Sequence, residues 1–225
     1  IVIVGDIDVD AVEAKLKTIF ADVQKAVNPA ERVYYPVADN KEPIVAIGTD
    51  KEVDDPSIEV YFKQDATPDS EKNNVGYLAS QYMTSMITSM LNARLSELTQ
   101  SANPPFTRAY SSYGNFFVAK TKEALNLSAS SKADGIEKAL KVLLQEAERA
   151  RRFGFTESEY ARARANYLQR LESAYNEREK TKHGSYVREY VRNFLDAEPI
   201  PGIETEYAMM NQLAPNLPVQ AINMA

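Results

Sequence analysis

Chemistry at a protein site needs a nucleophile, a titratable acid or base, or a ligand set for a metal. This chain is sparing with all three. It carries one histidine, His183, and no cysteine. A histidine-based triad or metal site would have to use His183. A thiolate nucleophile, a disulfide framework and a thiolate metal site are all excluded. One imidazole without a thiol cannot assemble the usual zinc sites, closed or open. His183 lies in Lys180-Thr181-Lys182-His183-Gly184, which reads as a polar helix C-terminus. There the helix dipole favours an imidazolium without any chemistry.

Carboxylates are plentiful. Asp6, Asp8 and Asp10 have the alternate spacing that starts a calcium loop. They lack the later glycine and the closing glutamate at the right distance, so helix capping and first-turn acidity explain them better. Arg149, Arg151, Arg152, Arg162, Arg164 and Arg170 are interleaved with Glu146, Glu148, Glu157, Glu159 and Glu172. Pairs such as Glu148 with Arg152 fall four residues apart, which describes a solvated helix face. Pro104-Pro105 is too short to be a specific polyproline ligand. The 13 tyrosines suit either a peptide-contacting surface or the filling of a helix–sheet layer, and filling is preferred. No position is assigned a catalytic, cofactor-binding or metal-binding role.

The elements that would position a site are clearer. Val75, Leu78, Tyr82, Met86, Met90, Leu91, Leu95 and Leu98 recur at three- and four-residue intervals, the period of one helix face. Thr67-Pro68-Asp69-Ser70 can start that helix, and Asn103-Pro104-Pro105-Phe106 must end it. Before it come Ile1–Val4 as a buried strand, a helix from about Val9 to Val23, and a proline-bearing linker over 24–43 that lies along a surface. Two strands follow, Ile44–Thr49 and Ser57–Gln64, separated by Asp54-Asp55-Pro56. After the long helix, strands are expected at Thr107–Tyr113, Asn115–Lys120 and Ala124–Ser131. Gly114 would divide the first two. The last should be dry on its Leu125, Leu127 and Ala129 side and wet on the other.

The remainder is helical. Asp134 precedes one helix, closed by Gly154. Thr156-Glu157-Ser158-Glu159 is a capping box for the next. Gly184 marks a break before Tyr186–Leu195, and Glu204–Leu213 and Val219 to the end are shorter helices. The sum is an α+β fold, an antiparallel sheet with helices packed mainly on one face.

Composition sets outer limits. The chain has 225 residues, a net charge of −6 and 44% apolar residues, an ordinary globular balance. An acidic excess argues against a nucleic-acid partner. No apolar run is long enough to span a membrane. The opening Ile1-Val2-Ile3-Val4 reads as the inside of a longer protein rather than a leader.

The order of these pieces resembles the pitrilysin/insulinase-type zinc peptidases, the inverzincins. Val4-Gly5-Asp6-Ile7-Asp8 with its helix and linker resembles the end of their first domain. Leu91-Asn92-Ala93-Arg94-Leu95-Ser96-Glu97-Leu98, the strands around Tyr110–Phe117, the Thr156–Arg164 helix start and Pro199-Ile200-Pro201 resemble their second domain. The resemblance implies a metallohydrolase-like domain of the pitrilysin/mitochondrial processing peptidase type. It also implies two such domains per half and two halves closing around a peptide-holding chamber. In the family, zinc is held by H-x-x-E-H and a downstream glutamate, and the motif's glutamate activates the metal-bound water.

With one histidine, H-x-x-E-H cannot occur here, so no ligand or catalytic residue carries over. The chain is therefore expected to hold residues 1–23 as the tail of a preceding domain, 24–43 as linker, and 44–225 as a C-terminally truncated, non-catalytic domain. No cofactor is expected in this fragment; zinc is expected in the parent. Expected partners are the other domains of the parent chain and a peptide substrate, with the bacterial cell envelope or periplasm as the preferred compartment. The alternatives are a scaffold subunit of a catalytically inactive family member and an unrelated α+β interaction module. A six-stranded antiparallel sheet would argue against the last. Residues 1–20 are also expected to dock where a terminal strand–helix unit of the second domain belongs, with Ile1–Val4 paired.

Overall fold

A computed structural model describes residues 1–53, 55–132 and 134–225. Among them three strands form one antiparallel sheet in the order β1-β3-β2, with β1 Ser57–Asp65, β2 Arg108–Asn115 and β3 Lys122–Ser130. The register places Val60 beside Leu127 and Leu127 beside Ser111. Seven helices accompany the sheet: α1 Val9–Ile19, α2 Val75–Thr99, α3 Ile136–Phe153, α4 Glu157–Asn176, α5 His183–Asp196, α6 Ile203–Asn216 and α7 Val219–Met224. Helices α2 and α3 cover one face of the sheet, and α4 packs on α2 and on α6 behind them. This is the expected α+β layering, although the described sheet has three strands rather than six.

The side chains decide which sheet face is covered. Alternation in a strand sends Ile58, Val60, Leu125, Leu127, Ala129 and Ala109 to one side. Tyr82, Met86, Met90, Leu91 and Leu95 of α2, with Ala139 and Leu143 of α3, close over that side and are nearly solvent-free. The Met- and Tyr-bearing stripe of α2 is therefore core. The helix starts later than expected. Asp69–Glu71 is a short 3₁₀ turn, and the cap is Asn74, whose side chain accepts from the amide of Tyr77 at 2.9 Å. It ends at Gln100, ahead of the prolines, and Pro105 and Phe106 turn inward and are buried.

Several expected strands do not form. Ile1–Val4 and Ile44–Thr49 are in no strand, and Ile44, Val45 and Ile47 are largely exposed. An apolar run supplies the side chains for a strand but not a neighbour to complete its backbone hydrogen bonds. With Ile1–Val4 unpaired, the expected docking of residues 1–20 onto the sheet is overturned. The strand expected over Asn115–Lys120 does not form: Asn115 ends β2, and the residues after it turn, with Phe117 at φ +52° and Ala119 N donating to Phe116 O at 3.0 Å. Gly114 sits inside β2, opposite Ala124, and breaks nothing. Asp54, expected in the turn before β1, lies outside the described residues.

The linker does lie along the body in one place. Lys63 Nζ donates to Ala38 O at 2.9 Å, and Lys122 Nζ bridges Asp39 at 2.7 Å and Asp65 at 2.6 Å. Farther on, the break before α5 comes at Glu177–Lys182, and Gly184 falls inside the first turn of that helix.

Candidate functional site

The sheet has a second face. Alternation sends Glu59, Tyr61 and Lys63 of β1, Asn126 and Ser128 of β3, and Tyr110 and Ser112 of β2 away from the helices. The register sets Tyr61, Asn126 and Ser112 in one row, and Glu59, Ser128 and Tyr110 in the next. Glu59, Tyr61, Tyr110, Ser112 and Asn126, together with Phe117, line a hollow of about 300 Å³.

The expectation of a wet face on β3 needs a correction here. Asn126 and Ser128 are buried, because the flanking tyrosines shade the central strand. The Nδ2 of Asn126 is enclosed and has no hydrogen-bond partner. A buried donor left unpaired costs on the order of 1–3 kcal/mol. Tyr61 packs edge-on against Phe116 and lies 5.1 Å from Phe117, centroid to centroid, while Lys63 sits over the Phe116 ring at 5.5 Å. The Tyr61 hydroxyl donates to the Glu59 carboxylate, and this bond, with burial, pushes its pKa up to about 12. The surface thus offers flat aromatic faces, one carboxylate, and hydroxyl and amide groups. That set can hold an extended polypeptide. It does not pair a nucleophile with a base.

The sequence candidates are scattered. His183 is the first residue of α5, exposed, at a helix N-terminus instead of a C-terminus. The favourable dipole argument therefore reverses for it. Asp8 caps α1, accepting from Ala11 N at 2.9 Å, as the capping reading requires. Glu148 accepts from Arg151 at 2.7 Å and from Arg152, and these two guanidinium groups hold its carboxyl down at about 2. Tyr82 and Tyr160 share a buried hydroxyl contact of 3.1 Å, and Tyr175 stacks on Tyr207 at 4.5 Å. Filling therefore accounts for these tyrosines, whereas Tyr61 and Tyr110 stand on the outer face of the sheet.

Zinc, the metal that the resemblance implies, does not fit. His183 stands alone on the surface, and among the described residues no three His, Cys, Asp or Glu side chains converge.

One junction escaped the sequence reading. Arg94 of α2 clasps Glu159 of α4 with both ends of its fork, Nε at 2.5 Å and Nη2 at 3.0 Å. Its Nη2 also donates to Gly154 O at 3.0 Å, and the guanidinium lies 4.6 Å from the Phe155 ring centre. Glu159 is also the closing member of the capping box, accepting from Thr156 N at 2.7 Å. Beside them Gly154 stands at φ +66°, where an added Cβ would come within 2.5 Å of Asn223 Cγ. Asn223 in turn holds Phe155 through its amide and carbonyl, at 2.8 and 3.0 Å. One signal existed: Arg94 sits four residues from both Met90 and Leu98, on the apolar face of α2. A charge there demands a partner.

With this geometry in view, comparison with known proteins places the chain. The family described as the Peptidase M16 inactive domain matches residues 1–167. The chain belongs to this family. The "Zinc protease PQQL-like" protein of Arabidopsis thaliana is 28% identical over 218 residues, covering 96% of this chain and 19% of that protein. The periplasmic protease PqqL from Escherichia coli has the same fold, with a TM-score of 0.78 at 19% identity, over 98% of this chain and 24% of that one. A predicted insulinase family protease from Yersinia pestis gives 0.79 at 11% identity, over 98% of this chain and 46% of that one. The chain therefore spans about a fifth to a half of these relatives. The family is described as an inactive domain, so this chain is a non-catalytic domain of the zinc protease family. An unrelated interaction module is ruled out.

Proposed function

We propose that this chain is a wall of a peptide-enclosing chamber in a zinc-dependent metalloendopeptidase, and that its open sheet face lines the chamber. The observation that carries this is the asymmetry of the sheet. One face is sealed by α2 and α3. The other presents Tyr61, Tyr110 and Glu59 around a shallow hollow. Residues 1–23 are the tail of the preceding domain, 24–43 the linker, and 44–225 the non-catalytic domain. Zinc and the cleavage chemistry belong to other parts of the parent protein. The periplasm is the compartment this reading prefers, by likeness to PqqL. In a catalytically inactive parent, the same domain would serve as scaffold.

The test is peptide binding by the chain itself. A fluorescent, unstructured peptide should bind weakly without being cleaved, and Tyr61→Ala with Tyr110→Ala should reduce binding about tenfold, as two lost aromatic anchors imply. Unchanged binding in the double variant removes the sheet face from the proposal. Zinc titration by calorimetry should show no tight site; nanomolar zinc binding overturns the division of labour.

A further inference from the structure

The outward side of α3 is apolar without being covered. Ala139 and Leu143 point inward and are fully buried, whereas Leu140 and Leu144 are 37% and 42% exposed. With Glu137, Lys141, Glu148 and Arg152 they line an open groove along the helix. Ile136, Leu140, Leu143, Leu144 and Ala147 share one side of α3, and that side is wider in apolar residues than the face the sheet can accept.

The charges beside these leucines have an order. Glu137 and Arg152 lie equally far, in opposite directions, from the centre of α3 between Leu144 and Gln145, and so do Lys141 and Glu148. Each pair joins opposite signs. At 100° per residue, Glu137, Lys141, Glu148 and Arg152 fall on one flank of Leu144, and Leu140 on the other. A helix with this arrangement is complementary to its own antiparallel copy.

We infer that α3 is a self-association surface whose partner is a second copy of this chain, docked antiparallel about a two-fold axis between Leu144 and Gln145. Leu144 then meets Leu144 of the second copy. Lys141 faces Glu148 of the second copy, and Glu137 faces Arg152 of the second copy, twice each by symmetry. Leu140 packs on the opposite flank. Arg151 and Arg152 hold Glu148 within the helix, so that the acidic group is already on the surface in an ordered position. The four flanking charges sum to zero. A purely acidic or purely basic partner is therefore opposed by half of them, whereas the antiparallel copy satisfies all four.

The contact is one helix wide, below the area of a standard interface, so the dimer is weak, with a Kd on the order of 0.1 mM. Sedimentation equilibrium of the intact chain across that range tests it. Lys141→Glu sets two like-charge pairs into the interface and should weaken the dimer about tenfold or more. Lys141→Glu with Glu148→Lys restores the complementarity and should bring Kd back to within about threefold of the parent value. Leu144→Glu, read beside a circular dichroism melt that shows the fold intact, should leave only monomer. A chain that stays monomeric through millimolar concentration overturns the inference. So does a dimer that ignores Lys141→Glu but is lost with Ile19→Asp on α1, which would assign the contact to the exposed amino-terminal helix. Peptide binding at the sheet face is measured separately and is unaffected by either outcome.

Discussion

Residues 1–53 and residues 57–225 are built from similar material and behave differently. The first stretch has apolar runs, an amphipathic helix and a capping aspartate, yet none of its residues is buried. The second supplies every member of the core, from Tyr82 to Ile222. Local preference is equal in the two; what differs is a surface to pack against. Helix α1 has Val9, Ile19 and Phe20 exposed, whereas α2 lays its stripe between a sheet and a second helical layer. A helix gains most of its stability from such packing rather than from propensity.

The sharpest way to break this contrast is to damage the second region. Leu143 is fully buried between α3 and the core. Leu143→Ala should cost about 3–4 kcal/mol in transfer and cavity terms, measured by urea unfolding. A cost below about 1 kcal/mol would mean the core is not where this structure puts it.

The Arg94–Glu159 junction should come next. Glu159→Ala leaves a buried guanidinium without its partner and should cost about 3 kcal/mol. Its pH dependence gives a second signature. Contact with Arg94 holds the Glu159 carboxyl down at about 2, against 4.5 in the unfolded chain. A depressed carboxyl stabilises the fold above the unfolded pKa, so this contribution is complete above about pH 4.5 and disappears as pH falls toward 2. The variant should lack that part of the acid transition.

Glu206 works in the opposite sense. Burial, with the nearby charge of Glu189, raises its carboxyl pKa, so its ionised form costs stability at neutral pH. Glu206→Gln should stabilise the protein by under about 1 kcal/mol at pH 7. The gain should vanish in acid, where the parent side chain is also neutral.

The same contrast explains what the sequence revealed. Elements whose signal is local were readable. The capping box at Thr156–Glu159 and the periodic stripe of α2 both express themselves within a few residues. Elements that depend on a distant partner were not. Ile44–Thr49 has the composition of a strand and pairs with nothing described, whereas Arg108–Asn115, less apolar, pairs with β3 along its whole length. Asn92 shows why: its carboxamide exchanges hydrogen bonds with the amide and carbonyl of Ser111, at 2.6 and 3.0 Å, and supports β2 from the helix side. Nothing near Ser111 in sequence announces that help. The open face was hidden for the same reason, since Tyr61, Tyr110 and Asn126 meet only through the register of three strands. The family resemblance, carried by the order of many weak signals, identified the family where no single residue could.

The smallest expected effect tests the comparison from the other side. Ile19→Ser with Phe20→Ser removes two apolar side chains from the end of α1, at 64% and 45% exposure. In a region that shares no core with the rest, both changes together should alter the main unfolding transition by less than about 0.5 kcal/mol, the level of an ordinary surface substitution. Backbone amides of α1 should exchange faster than those of α2, because opening α1 disrupts no tertiary contact of the core. The linker limits this independence, since Lys122 ties Asp39 to the sheet. Lys122→Met should therefore increase proteolytic nicking near residues 37–39 and leave the melting of the core in place. A coupled loss, in which the serine pair lowers the core transition by more than about 1 kcal/mol, would mean that α1 takes part in the fold through contacts made in solution, and the boundary between the two regions would move to the chain's first residue.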